Sequence, residues 1–300
     1  MAKENYKNVK EIAAEWGISE RAVRYYIDDH RIPGAVLEGN EWFIPVGTEK
    51  PESRLLRKQS DSLLTILRRE NRFGMKGGIY HKIQIDLTYN SNHIEGSRLS
   101  HDQTRYIFET NTVGMEHHFQ GVNTDDIVET TNHFRCIDYI IDNANRRLTE
   151  SMIKKLHFIL KNGTSDSRKE WFAVGGYKKL PNEVGGMSTT APEDVSKETK
   201  KLLKYYRSRK VLELEDLLDF HYRFESIHPF QDGNGRVGRL ILFKECLRLG
   251  IVPFIIDEEH KMFYYRGLKE WQNERGYLMD TCLSAQDGMK KSLDYFRIGY

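Results

Sequence analysis

Residues 228–239 read His-Pro-Phe-Gln-Asp-Gly-Asn-Gly-Arg-Val-Gly-Arg, and their types and spacing suit the handling of phosphate. Pro229 should stop a helix ending near Ser226, because a proline disfavours helical backbone in the residue before it. Gly233 and Gly235 allow a tight loop, and a new helix is predicted to start near Gly235 or Arg236. A glycine loop at a helix N-terminus presents free N–H groups to an anion, and the helix dipole adds to the attraction. Arg236 and Arg239 lie three apart on the first turn and so share a face. Asp232 sits where a phosphate-bridging Mg²⁺ needs a carboxylate, and His228 has a side chain whose ordinary pKa suits a general base near neutrality. A solvated turn would explain a lone Gly-Asn-Gly. It does not explain a base, a metal ligand, an anion nest and paired arginines in one short stretch, so the expectation is a nucleotide phosphate site.

The elements that must position this stretch are mostly helical. Periodicity predicts helices over 60–72, 80–95, 125–141, 149–160, 213–226 and 235–249, with a further one after Ser100, whose capping box uses Gln103. Residues 171–187 are rich in glycine, contain Pro181 and predict a short hairpin or flap. Ahead of all this, Val9–Trp16 and a second segment from Glu20 to about Asp29, capped by Ser19, predict two short helices joined through Gly17. A turn at Gly39-Asn40 then leads to a strand at Trp42–Ile44, and the polar stretch Pro45–Glu52 suits a linker.

The chain has 300 residues, which favours about two domains. Its 46 basic and 44 acidic side chains leave +2, so bulk charge argues against a protein that coats a polyanion. Cys136, Cys246 and Cys282 are odd in number and widely spaced, which suits neither a disulfide framework nor a zinc knuckle and points to a reducing compartment. The first residues lack a secretory apolar run, and Lys244, Glu245 and Arg248 interrupt the most apolar stretch, 240–256. These features predict a cytoplasmic protein with no membrane partner. His117-His118 has no cysteine or carboxylate at metal spacing and reads as surface; His93 and His221 read as structural.

Two resemblances follow. Residues 8–50 resemble the small winged helix-turn-helix domains of the MerR and excisionase type. Residues 1–50 carry seven basic and nine acidic side chains, a balance of −2, so DNA is a possible partner that only a local patch of Arg21, Arg24 and Arg31 would attract, and a docking or dimerisation module is the other reading. Residues 228–239 meet every fixed position of the Fic signature, His-Pro-Phe-x-Asp/Glu-Gly-Asn-Gly-Arg-x-x-Arg, and the likeness extends over most of the chain after residue 53. It implies a mainly α fold: an all-helical core with a small β-hairpin flap, preceded by the winged helix-turn-helix. The expected organisation is 1–50 for that module, 51–145 for a linker and inhibitory-helix region, and 146–300 for the catalytic core.

The Fic resemblance also implies an activity, the transfer of AMP from ATP to a Ser, Thr or Tyr hydroxyl of a target protein. In that reading His228 is the base, Asp232 holds Mg²⁺, and Gly233, Asn234 and Gly235 form the anion hole. Arg236 and Arg239 hold the β and γ phosphates, while Tyr265 and Gln272 line the base pocket. Ser91-Asn92-His93-Ile94-Glu95-Gly96 matches the family's inhibitory motif, whose fixed residues here include Ser91 and Glu95, which implies that Glu95 pairs with Arg239 and misplaces ATP. Gly176, Tyr177, Lys178, Leu180 and Asn182 fall in the flap, which in the family aligns the target by strand addition. The same residues suit removal of AMP, and a DNA-binding regulator with a nucleotide-sensing core is a reading of another class; intact His228 argues against a pure sensor, since binding needs no base. A homodimer is a further possibility, and the target is not legible.

Overall fold

A computed structural model describes residues 5–28, 31–39, 41–51, 61–113, 121–209 and 211–300. The expected histidine pair 117–118, the end of the expected second helix at 29, the second turn residue at 40 and the end of the expected linker at 52 lie outside the described residues. The chain divides into two compact units, Met1–Ser60 and Asp61–Tyr300.

In the first unit, strand β1 (Tyr6–Asn8) leads into α1 (Val9–Trp16). Asn8 and Glu11 close a capping box at the start of α1, and Gly17 ends it at φ 64°. Helix α2 (Glu20–Asp28) follows, then β2 (Val36–Glu38) and β3 (Glu41–Pro45). The three strands form an antiparallel sheet in the order β1-β3-β2. Ile12, Val23, Ile27 and Ile44 fill its own small core. Strands β1 and β2 were not expected: at three residues each they are too short to set up a readable alternation.

The second unit is helical apart from one hairpin. Its helices are α3 (Leu63–Phe73), α4 (Ile79–Ile94), α5 (His101–Thr110), α6 (Thr124–Asp142), α7 (Glu150–Lys161), α8 (Pro192–Ser208), α9 (Leu214–Ile227), α10 (Asn234–Leu249), α11 (Glu258–Glu270) and α12 (Gly276–Tyr295). Helices α8, α11 and α12 add to those expected. One hydrophobic core runs from Leu63 to Ile298, so the helices of 61–145 and of 146–300 share it. Helix α10 passes through the middle: Val237, Leu240, Ile241, Phe243, Cys246 and even Lys244 and Glu245 are buried. That pair is tolerated because Lys244 binds Glu245, which in turn accepts from Tyr206 and Arg248. The hairpin, β4 (Glu183–Val184) and β5 (Met187–Ser188), is shorter than the expected flap.

Because each unit has its own core, deletion of residues 1–60 should leave the second unit folded. Its far-ultraviolet spectrum should stay helical and its melting transition cooperative. A truncated chain that melts without cooperativity would show that the helical unit depends on the first.

Candidate active site

The loop between α9 and α10 is built by a helix stop, a buried ring and an amide clamp. His228 caps α9 in the left-handed region, φ 50° and ψ 63°, and its N–H donates to Phe224 O at 2.9 Å. A non-glycine side chain held there is strained, and such strain gathers at functional positions. Phe230 is fully buried and stacks on His157, with ring centroids 4.0 Å apart. Asn234 closes the loop with two bonds: its Oδ1 accepts from Phe230 N at 2.8 Å and its Nδ2 donates to Phe230 O at 2.9 Å. The Asn234 side chain is therefore committed to the loop, and only its backbone N–H is left for an anion. Gly233 precedes α10 at φ 79° with no side-chain cap, so no capping side chain takes up the first-turn N–H groups, as an anion site requires.

The two arginines of α10 are held by carboxylates from two different helices. Arg239 Nε donates to Ser91 Oγ at 3.0 Å, and its Nη2 donates to Ser91 O at 2.9 Å and to Glu95 Oε1 at 2.7 Å. Ser91 and Glu95 lie at the C-terminal end of α4, which Gly96 leaves at φ 96°. Gly235 is required by this approach, since a Cβ there would collide with Glu95 Oε1. Burial opposes the charge on Arg239, but Glu95 beside it holds the guanidinium above its ordinary pKa. Arg236, expected to hold phosphate, is instead buried between Glu129 of α6 and Asp232; Glu129 takes Nη1 and Asp232 Oδ2 lies 3.3 Å from Nη2. Among the described residues its Nε has no hydrogen-bond partner. The difference arises because Arg236 points toward α6, where a carboxylate already waits.

Asp232 is half-exposed, and its Oδ2 accepts from Lys161 Nζ at 2.6 Å. Burial raises its pKa, but Arg236 and Lys161 outweigh that and hold the carboxyl below the usual range. His228 Nδ1 stands 3.3 Å from Glu225 O, which leaves Nε2 as the free base nitrogen when Nδ1 carries the proton. Burial pushes the imidazole down to about 4, so it is neutral at physiological pH. Beneath it, burial pushes Glu225 up to about 8, and among the described residues its Oε1 has no hydrogen-bond partner.

Other expected residues are placed differently. Lys178 and Asn182 face inward rather than toward a target. Lys178 is buried, with Nζ donating to Asn182 Oδ1 and Thr189 Oγ1 at 2.6 Å each, and Asn182 Nδ2 donates to Phe230 O at 3.0 Å. A lysine is kept there because two oxygens replace its water. Tyr177 packs at 6.1 Å from Phe230 with Lys154 over its ring, and Gly176 lies against Ala173. Leu180 remains exposed, with its N–H on Gln231 Oε1 at 3.2 Å. Tyr265 is 41% exposed and its hydroxyl reaches Ile94 O at 3.4 Å, beside the Glu95 turn. Gln272 is exposed, and among the described residues no hydrogen bond joins it to the others, whereas the adjacent Trp271 is buried on Asp219. His221 is structural, bonded to Tyr264 Oη at 2.6 Å. Lys161, Glu129 and Glu225 were not expected; each is an ordinary charged residue on a helix, and no local pattern marks it.

Residues 147–245 match the family model described as Fic/DOC family. Over these residues the chain resembles the Fic/DOC family. Over 216 residues it is 27% identical to the protein adenylyltransferase Fic of Drosophila erecta, covering 69% of this chain and 41% of that protein. The Aedes aegypti protein of the same name is 28% identical over 190 residues, 60% of this chain and 36% of that one. This chain thus spans about two fifths of the length of those curated relatives. Among solved structures, a Fic domain containing signaling protein from Bacteroides thetaiotaomicron aligns with a TM-score of 0.61 and 25% identity, over 77% of this chain and 94% of that one. Fic-1 from C. elegans aligns with a TM-score of 0.61 and 18% identity, over 81% of this chain and 74% of that one, which speaks for the fold alone. The Fic/DOC match begins just before α7 and ends inside α10, so it contains the His228–Arg239 loop and both flap strands, while Glu95 and Glu129 lie outside it.

Proposed function

We propose that this Fic/DOC domain transfers AMP from ATP to a hydroxyl of a target protein and that Glu95 holds the site in check. The observation that carries the reading is the neutral His228 imidazole beside the uncapped N-terminus of α10. The relatives named protein adenylyltransferase support the choice of nucleotide chemistry. In the proposed step, His228 Nε2 takes the hydroxyl proton as that oxygen bonds to the α-phosphorus. The bond from the α-phosphorus to the α–β bridging oxygen breaks, and pyrophosphate leaves. The backbone N–H groups of Asn234 and Gly235 receive the charge that develops on the α-phosphate oxygens. Arg239 is the cation for the γ-phosphate once Glu95 lets go.

Mg²⁺ fits Asp232 in this reading. Among the described residues no three His, Cys, Asp or Glu side chains converge on a metal position, so an ion would rest on one ionised carboxylate, phosphate and water, a set that suits Mg²⁺. When bound, the ion neutralises phosphate charge.

The test is donor labelling. ATP labelled at the α-phosphate should mark protein and ATP labelled at the γ-phosphate should not. Marking by γ-label alone would make the enzyme a kinase and end the proposal. For residues 1–50 we propose a helix-turn-helix module whose −2 balance gives only weak DNA affinity. An anisotropy titration with labelled duplex at physiological salt should show no saturation at low micromolar protein; saturation there would contradict it.

A further inference from the structure

A dense cluster of charged side chains in this unit surrounds Lys161, the last residue of α7. Its side chain is 2% exposed, and its Nζ meets Glu129 from α6, Asp166 Oδ2 at 3.4 Å and Asp232 Oδ2 at 2.6 Å. The Phe172 ring lies 5.4 Å from the same nitrogen, and the Lys161 stem lies where a Cβ on Gly233 would touch it. Arg236 and Lys169 complete the cluster on Glu129, Asp232 and Asp166. Three carboxylates thus meet three cations. An ammonium so deep costs several kcal/mol unless it is paired on every side, and this one is.

One of those carboxylates is the group proposed above to anchor a divalent ion. We propose that Lys161 is a resident counter-ion that competes with the divalent ion for Asp232, so that the chain is self-neutralised without metal and takes it up weakly. The inference rests on the assignment of the metal to Asp232. The chemistry is plain. Nζ occupies Oδ2 of Asp232 and places a full positive charge beside any cation that approaches Oδ1. Arg236 Nη2 stands on the same Oδ2 at 3.3 Å, so the ion meets two fixed cations before it meets phosphate. An incoming triphosphate changes this balance, since its own charge draws both the ion and the cations. Metal uptake is then coupled to nucleotide arrival.

The test measures metal directly, with Mn²⁺ alone as the probe and the free Mn²⁺ resonance as the readout, on the full chain without nucleotide. Lys161→Met removes that charge and leaves Arg236 Nη2 alone on Oδ2. Half-saturating Mn²⁺ should fall at least about tenfold relative to wild type, and Mn²⁺ should raise the melting temperature of this variant more than that of wild type. Lys161→Arg keeps the charge and should bind as wild type does. Adding Asp232→Asn to Lys161→Met should remove the gain. Should Lys161→Met not fold, Lys161→Met with Glu129→Gln preserves the net charge and still takes the ammonium off Oδ2, and it should show a smaller gain of the same sign. Equal or weaker Mn²⁺ binding in the folded variant overturns the proposal. So does a gain that survives Asp232→Asn, because the ion would then sit elsewhere. The metal assignment itself is read separately, from the Mg²⁺ dependence of ATP binding in Asp232→Asn with Lys161 intact. If that dependence is unchanged, the assignment fails; if it is lost while Lys161→Met gains nothing, only the competition fails.

Discussion

Glu95→Gly should raise transfer of α-label to target and to the chain itself by on the order of a hundredfold. The expectation follows from what Arg239 touches. Two of its bonds go to Ser91 and stay in the variant; the third, to Glu95 Oε1 at 2.7 Å, is the one a γ-phosphate must replace. The pair is formed by a guanidinium that is almost wholly buried, where charge–charge attraction exceeds its surface value. ATP bound with its γ-phosphate elsewhere carries an α-phosphate out of line with the incoming hydroxyl, and about 1 Å of misplacement costs roughly 10²-fold. Glu95 caps the end of α4 through its backbone N–H on Asn92 O at 3.0 Å, a bond glycine keeps, so the substitution removes the carboxylate and little else. It also opens the space that Gly235 now leaves for Oε1. Arg239→Ala should not share the gain, because the γ-phosphate holder goes with the brake, and the double variant should match Arg239→Ala. Steady-state transfer measured for all three with one labelled ATP stock checks this. Unchanged transfer in Glu95→Gly together with a rise in Arg239→Ala would sink the inhibitory reading.

Replacing His228 should abolish transfer, with a loss of roughly 10²- to 10⁴-fold, while ATP affinity changes little. The phosphates would be held by the α10 N-terminus and Arg239, and the imidazole acts only on the proton. The choice of substitution matters. His228 sits at φ 50°, a conformation that costs an ordinary side chain such as alanine roughly 1–2 kcal/mol, whereas asparagine, like histidine, tolerates it better and carries no base. His228→Asn is therefore the cleaner probe, with His228→Ala expected to melt lower. The pH profile carries the same argument. Burial lowers the imidazole to about 4, so the neutral, proton-accepting form dominates above that value. Protonation of His228 should cut the rate only as pH falls toward 4, and not between 8 and 6. A limb near pH 6.5 that disappears in no other variant would show a solvated, ordinary histidine. Retained transfer in His228→Asn with lost ATP affinity would show that the residue binds rather than reacts.

The twelve-residue stretch and the helices on either side of it were legible because their signals are local. Pro229 ends α9, Gly233 opens α10 and Asn234 reaches back four residues to Phe230, all within one loop. The fold class was legible for the same reason: helical periodicity repeats along the chain after residue 60, and strand patterns do not. Helix α10 is the partial exception, since a helix buried all round has no polar face to read. What the tertiary structure alone decided is which charge meets which. Arg236 and Arg239 look alike in sequence, yet one is tied to Glu129, 107 residues away, and the other to Glu95, 144 residues away. Lys178 was expected in a target-aligning flap and is buried, where its ammonium is held by the oxygens of Asn182 and Thr189. Lys161 carries no signal at all in its own helix, and it acquires one only when α6 and the loop bring Glu129 and Asp232 to its nitrogen. Spacing along a chain specifies which side chains share a turn. Burial and long-range packing specify the dielectric and the partner, and those determine what a charged side chain is free to do.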